Sequence, residues 1–384
     1  MSLLLIDNLQ ELQEHQDEIS EFICSDSTQS NMFSLPELIE LYINHHPNIR
    51  IYLFLYTENS KISLFIPFYI EKEEYGLKLS IKTIYKLQVK TLKLFGNSIS
   101  YNRNVNRNNI INYIAEAIDK IKDKYDFIRI NDVITDSIES EISSHLQNIN
   151  SDYVEWKDKE EARRFIKLDN DIDTYLGSMK RKVRYNLKRN IKLFETGHGK
   201  PLLRKTVNRD EVSSFLNHTE EIYKKTWQAN SLGYEQKNTD YNHRKMSLIS
   251  ELGNLRSYVL FKDKTPVAFV IGYQFKNNYI YQDIGYDPAY KKWSPGSVLL
   301  FLLIEELFSI DKPELLDFGF GENDYKKIYG NTEKISSNIY IYKKYTKGHA
   351  VISAQKFLMN IYRLIHKLLT WLKIDSFIRK LIKR

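Results

Sequence analysis

The sequence predicts an α/β chain of the α+β kind. It reads as two tandem units, each a mostly antiparallel mixed sheet flanked by helices, followed by an amphipathic helical tail. Three observations lead there. Residues 48–55, "NIRIYLFL", are echoed at 254–261 by "NLRSYVLF", and each is followed by a short polar turn and a second apolar run, "ISLFIPFY" or "VAFVIGYQF". Both pairs are rich in β-branched and aromatic residues and read as β-hairpins. Further on, "NIINYIAEAIDKIKDKYDFIRIND" (109–132) parallels "SVLLFLLIEELFSIDKPELLDFGFGEND" (297–324). Each shows a helix-period apolar stripe and then a short strand expected to begin Asp-Phe, at Asp126 or Asp317. One such match arises by chance; two in the same order indicate a duplicated unit. The last thirty residues supply the third observation, a helical apolar stripe with a strongly basic opposite face.

The elements follow in order. The expected boundaries are 1–165 for the first unit, 166–346 for the second and 347–384 for the tail. The offset between the echoes falls from 206 to 191 residues, so the first copy carries extra chain, placed within 72–104. At 384 residues the chain is too long for one typical core. Its 42% hydrophobic content argues against global disorder. Met1–Ile6 is a short apolar start cut off by Asp7, unlike a secretory signal. No stretch approaches the uncharged length a spanning helix needs. Cys24 is the lone cysteine, which excludes internal disulfides and thiolate metal clusters and suits a cytoplasmic location. His45-His46 has no third ligand in view, so no metal is expected.

Charge is concentrated at the end. From Gln355 to Arg384 there are eight Lys/Arg against Asp375 alone, so this segment holds the whole +7 excess. Leu358, Ile361, Tyr362, Ile365, Leu368, Leu369 and Leu372 share one side of a helical projection, with Lys356, Arg363 and Lys367 on the other. That profile fits an interfacial helix on the inner face of an anionic membrane, or a helix docked on protein. A second basic stretch is "SMKRKVRYNLKRNIKLFE" (178–195), with Arg181, Arg184 and Arg189 suited to gripping phosphates and an apolar face of Met179, Val183, Leu187, Ile191 and Phe194. Its alternative is a solvated face paired with nearby acids.

The segment "NYIYQDIGYD" (278–287) reads as a strand, followed by Lys291, Lys292, Trp293 and Ser294-Pro295-Gly296-Ser297 opening an apolar helix. Ser294 suits an N-cap and Pro295 the first helical position. Free amides at such a tip, with the helix dipole and two lysines, make an anion site. An ordinary capped helix beside solvated lysines is the bland reading.

The order "GYDPAY", basic linker, Ser-Pro-Gly, then "LLDFGFGENDYKKIYG" resembles the GNAT acyltransferase superfamily. It is most similar to the tandem branch of CelD-like acetyltransferases of cellulose biosynthesis and, more distantly, to the Fem-type peptidyltransferases. The 178–195 segment and "LFIPFYIE" (64–71) resemble that branch too. The usual Gln/Arg-x-x-Gly-x-Gly/Ala coenzyme loop is replaced by Lys-Trp-Ser-Pro-Gly-Ser. The resemblance implies an N-acyltransferase moving an acetyl or longer acyl group from acyl-CoA to an amine, such as an amino sugar of a surface glycan precursor. It places the coenzyme diphosphate on the amides of Gly296, Ser297 and Val298, beside Ser294, Lys291 and Lys292, and the pantetheine along the strand end with Gly285 and Tyr286. Asp317 or Glu322 is the expected general base, Lys326 the stabiliser of developing negative charge, and Tyr329 or Tyr325 the proton donor to the departing thiolate. Tyr281, Asp283 and Trp227 are expected on the acceptor side, with the three arginines. The alternatives are an aminoacyl-tRNA-dependent Fem-type transferase, the only reading with a nucleic-acid partner, or a non-catalytic module docking to membranes or partners.

Overall fold

The computed structural model describes residues 2–28, 31–79, 82–169, 171–196, 201–226, 229 and 234–371. The chain forms two compact units, each discontinuous in sequence where three consecutive segments were expected. The first comprises 1–30, 46–159 and 337–384, and the second 31–45 and 160–336.

In the first unit the strands β1 (Ser2–Ile6), β2 (Ile49–Glu58), β3 (Lys61–Leu79) and β4 (Lys82–Leu94) form an antiparallel meander. The short β5 (Ser100–Tyr101) pairs with β3. The parallel neighbour of β4 is β6 (Phe127–Ile134), reached through the helix Arg107–Lys120. β7 (Tyr153–Lys157) pairs antiparallel with the later half of a long strand, β14 (Thr332–Lys343). Glu58 and Lys61 pair across Asn59 and Ser60, both at positive φ, which is the twist that a two-residue hairpin turn requires. The extra chain expected within 72–104 is the outer part of the β3–β4 hairpin, which runs well beyond the length of β2. One sheet face packs on Arg107–Lys120 through Ile110, Ile114 and Ile118. The other packs on the helix Lys347–Trp371 through Val351 and Ile352.

The second unit repeats the pattern. β8 (Glu161–Lys167) precedes the basic helix Arg181–Glu195, and β9 (Leu202–Thr206), β10 (Ser257–Lys262), β11 (Thr265–Phe275) and β12 (Asn278–Tyr286) again form an antiparallel meander. β12 runs parallel to β13 (Leu315–Asp317), which lies antiparallel to β8. The order β1-β2-β3-β4-β6 is therefore restated as β9-β10-β11-β12-β13. β13 ends at Asp317, where a strand beginning there was expected, because Gly319 and Gly321 at positive φ turn the chain at once.

The helix Pro295–Glu306 is apolar almost all round since it packs on β11 on one side and on Arg181–Glu195 on another. Val298, Leu299, Leu303 and Ile304 are buried in the core it shares with Leu187 and Phe194 of the basic helix. Each such aliphatic side chain contributes roughly 1.5–3 kcal/mol. Among the described residues no helix is long and apolar enough to cross a membrane.

Candidate active site

The site is built where β12 outruns its neighbour. Parallel pairing covers only Asn278 to Ile280 against Leu315 to Asp317, while β12 continues to Tyr286. From Tyr281 onward its edge toward β13 carries no strand partner among the described residues. A bulge falls at the same place: Ile271 pairs with Asp283 but Gly272 with Tyr281, leaving Gln282 as the extra residue. A bulge re-aims side chains and sharpens the local twist. The open edge offers backbone N–H and C=O groups to an extended, amide-bearing ligand.

The tip of Pro295–Glu306 differs from expectation. Pro295 takes the first helical position as predicted, but Ser294 is left-handed (φ 52°, ψ 48°) and makes no side-chain cap bond. Proline disfavours the right-handed helical region for the residue before it, and the Ser294 amide closes the preceding turn onto the Lys291 carbonyl at 3.0 Å. The Ser294 carbonyl then accepts both the Ser297 amide at 3.0 Å and the Val298 amide at 3.1 Å. Of the three amides expected to hold a diphosphate, only that of Gly296 makes no backbone hydrogen bond among the described residues. A side-chain carbon at Gly296 would meet only Tyr286, at 3.7 Å, so the space over the tip is open. Gly285, by contrast, is pressed against the Phe269 ring, where an added carbon would sit 2.5 Å from it; its role is packing. Lys291 and Lys292 are exposed, with the Lys292 ammonium 3.9 Å above the Trp293 ring.

The basic helix Arg181–Glu195 packs on Pro295–Glu306 and on the turn Pro288–Trp293. Its predicted apolar face is the buried one. Arg181, Lys182, Lys188, Arg189 and Lys192 are exposed. Arg184 is not part of that surface. Its guanidinium donates to the carbonyls of Gly177 at 2.8 Å and Met179 at 2.5 Å, ending the helix Ile172–Ser178. Trp227 lies outside the described residues.

The expected acid–base groups are occupied. Asp317 receives both arms of Arg163, with Nε at 3.1 Å from Oδ1, and also the Gly319 amide at 2.8 Å. A carboxylate so bonded fixes the turn. Glu322 is exposed, and Lys327 and Arg164 hold its carboxyl below the usual carboxylate range. Lys326 is buried, and its ammonium donates to the carbonyls of Gly319, Phe320 and Gly321 at 3.1, 2.9 and 2.8 Å. Three bonds use all three N–H groups, so Lys326 is a positioning residue that shapes the loop after β13.

Tyr329 is buried with its hydroxyl 3.4 Å from the Ser297 carbonyl, and its own carbonyl accepts from Tyr175 at 2.6 Å. Tyr281, Phe318 and Tyr325 form an aromatic trio beside the open edge. Burial pushes the Tyr325 phenol up to about 12, which keeps it a proton donor at neutral pH. Asp283, at the bulge, pairs with Lys237 at 3.0 Å. Burial opposes the Lys237 charge, but Asp283 and Glu235 raise its pKa. The structure thus gathers Tyr281, Asp283, Tyr325, Tyr329 and Gly296 into one unit around a strand end. It also adds Arg163, Lys237 and Gln282, which no motif pointed to; Arg163 lies 154 residues from its carboxylate.

With the fold and strand opening described, residues 181–327 match the family described as the acetyltransferase (GNAT) domain. No curated protein matches the sequence. Among solved structures the chain is similar to FemX, with a TM-score of 0.59 at 12% identity, over 89% of this chain and 97% of that one. It is also similar to a conserved protein of unknown function from Bacteroides thetaiotaomicron (0.55, 12%, 89% and 100%). A third is the C-terminal domain of a putative lysylphosphatidylglycerol synthetase from Agrobacterium fabrum (0.51, 11%, 90% and 95%). At such identities the likeness concerns the fold.

Proposed function

We propose that the second unit transfers an acyl group from acyl-CoA to an amine, with an amino sugar of a glycan precursor as the acceptor class. The observation that carries this reading is the unpaired edge of β12 from Tyr281 to Tyr286, opening beside an uncapped helix tip. The pantetheine amides would pair with that edge. The phosphates would lie over Gly296, with Lys291, Lys292 and the exposed face of Arg181–Glu195 supplying positive charge. Asp317 and Lys326 hold the loop that bounds the opening. The acceptor amine attacks in its neutral form and the thioester carbonyl opens to a tetrahedral adduct; the C–S bond then breaks as the thiolate takes the proton of Tyr325, and the tyrosinate so formed takes the surplus proton from the new amide nitrogen. Transfer by this route asks for accurate placement more than for a strong base.

Calorimetry with acetyl-CoA tests it. Micromolar binding that disappears in Gly296→Trp is the expected result; the open space over Gly296 lets the indole occupy the carrier's place without disturbing the core. A specific observation favours the second reading, an aminoacyl-tRNA-dependent transferase. Only one tip amide is free, while five cations line the basic helix with no acid before Glu195. Binding of tRNA with none of acetyl-CoA would replace the first reading by this one.

The helix Lys347–Trp371 supports a peripheral seat on an anionic membrane in the cytoplasm. Beyond its docked start, Phe357, Leu364 and Leu368 are 65%, 61% and 59% exposed and share a face with Ile365. Residues 372–384 of the expected tail lie outside the described residues. The full-length chain should sediment with phosphatidylserine vesicles and the variant lacking 355–384 should not. Full-length protein that stays in the supernatant rejects the membrane seat.

A further inference from the structure

The first unit holds a cavity of about 690 Å³ that has no counterpart among the features assigned so far. It opens between the outer β3–β4 hairpin, the ends of β6 and β7, and the helix Lys347–Trp371. Its wall is aromatic on one side: Trp156 stacks on Tyr340 with ring centroids 4.8 Å apart and planes 30° apart, and Tyr75 adjoins them. The helix that bounds it is anchored, because the buried Gln355 side chain accepts from the Lys78 amide at 2.8 Å and donates to the Lys78 carbonyl at 3.1 Å.

The charges around that wall do not cancel. Glu73 is already taken by Lys93 at 2.8 Å and by Thr91 at 2.8 Å, and Glu74 pairs with Lys86 at 3.1 Å. Burial alone would raise the Glu73 carboxyl, but the bonds from Lys93 and the charge of Arg129 hold it below the usual range. Arg129 meets Glu73 through one long contact of 3.4 Å, and its buried Nε has no hydrogen-bond partner. Lys78 and Arg363 line the cavity and make no ion pair among the described residues, leaving Asp158 as the acid facing this cationic set.

We propose that this cavity binds a saccharide ring carrying an acidic group. The stacked Trp156–Tyr340 pair presents a flat apolar surface of the kind that a sugar's C–H face covers. Arg129, with donors to spare, and Arg363 take the acid. Asp158 accepts ring hydroxyls. The same carboxylate repels a phosphate dianion, as on AMP, more than the monoanion of a sugar acid, which separates a sugar acid from a nucleotide. The volume suits one or two rings. The inference is independent of the acyl-transfer reading, since every lining residue belongs to the first unit.

Saturation-transfer NMR and tryptophan-fluorescence titration of the full chain with glucuronic acid, glucose and AMP test it. Glucuronic acid should bind with a Kd of about 1 mM or tighter, at least about tenfold tighter than glucose or AMP. Trp156→Ala and Arg363→Ala should each weaken it by about fivefold or more. Arg363 is exposed on its helix, so an unchanged melting midpoint for Arg363→Ala confirms that the loss belongs to the site. The proposal is overturned by absent glucuronate binding, by glucose binding equally well, by AMP binding more tightly, or by affinity untouched in Arg363→Ala.

Discussion

The two units share a strand order and differ at the point where chemistry would occur. In the first, the helix Arg107–Lys120 begins with Asn106, whose side chain accepts the Asn108 amide at 2.9 Å, and Arg107 is held by Glu141 at 2.9 Å. Strand β4 pairs with β6 at Thr91 and Leu92 and ends two residues later, so it does not run on past the pairing as β12 does. In the second, Ser294 caps nothing, β12 runs six residues past its last paired position, and a bulge sits at the opening. One topology therefore yields a closed copy and an open copy. What separates them is strand length, one cap and one bulge. The closed copy has its extra chain in a long hairpin, which encloses the cavity assigned to a sugar acid.

The sharpest way to break this contrast is a matched pair at the two helix tips. Gly296→Trp should abolish acetyl-CoA binding, whereas Asn108→Trp, at the corresponding position of the first unit, should leave it within about twofold. Equal effects would mean that the copies do not differ in function. Next in size is turnover in Tyr325→Phe, expected to fall by about 10²-fold with KM nearly unchanged, because only proton delivery is removed; an unchanged kcat would dismiss Tyr325 as the donor. Lys326→Met leaves three carbonyls without their donor and should lower unfolding free energy by about 2–4 kcal/mol in urea titrations. Lys326→Ala should also reduce turnover by about tenfold, with KM rising as the loop loses its shape.

Smaller effects refine the comparison. Asn106→Ala should cost about 1 kcal/mol, while Ser294→Ala should change stability by less than about 0.5 kcal/mol, since only the first serves as a cap. Similar losses would contradict the left-handed, bond-free Ser294. The acid side of the first unit provides a last check. Glu73 is held below its unfolded value, so its stabilisation is present above the unfolded pKa and is lost as pH falls through the lower folded one. Glu73→Gln should flatten the stability profile in that acid window and leave its slope unaltered near pH 8.

Much of the architecture was legible before any coordinates. "NIRIYLFL" and "NLRSYVLF" mark β2 and β10 because strand alternation and two-residue turns are local properties, written within ten residues. The apolar stripe of 178–195 lies on the buried face for the same reason. The site was legible in outline only. Gly296 and the 278–287 strand were located, but Lys326 and Asp317 were assigned roles that free side chains would have, and neither is free.

Sequence alone determined the two sister units, the basic helix and the strand–tip order of the second copy, since each rests on periodicity and nearest-neighbour chemistry. Tertiary structure decided which groups remain available. Arg163 reaches Asp317 across 154 residues, Lys326 folds back on its own loop, and the 315–317 strand stops while its neighbour continues. Pairings of that kind depend on how distant segments are brought together, and no local pattern encodes them.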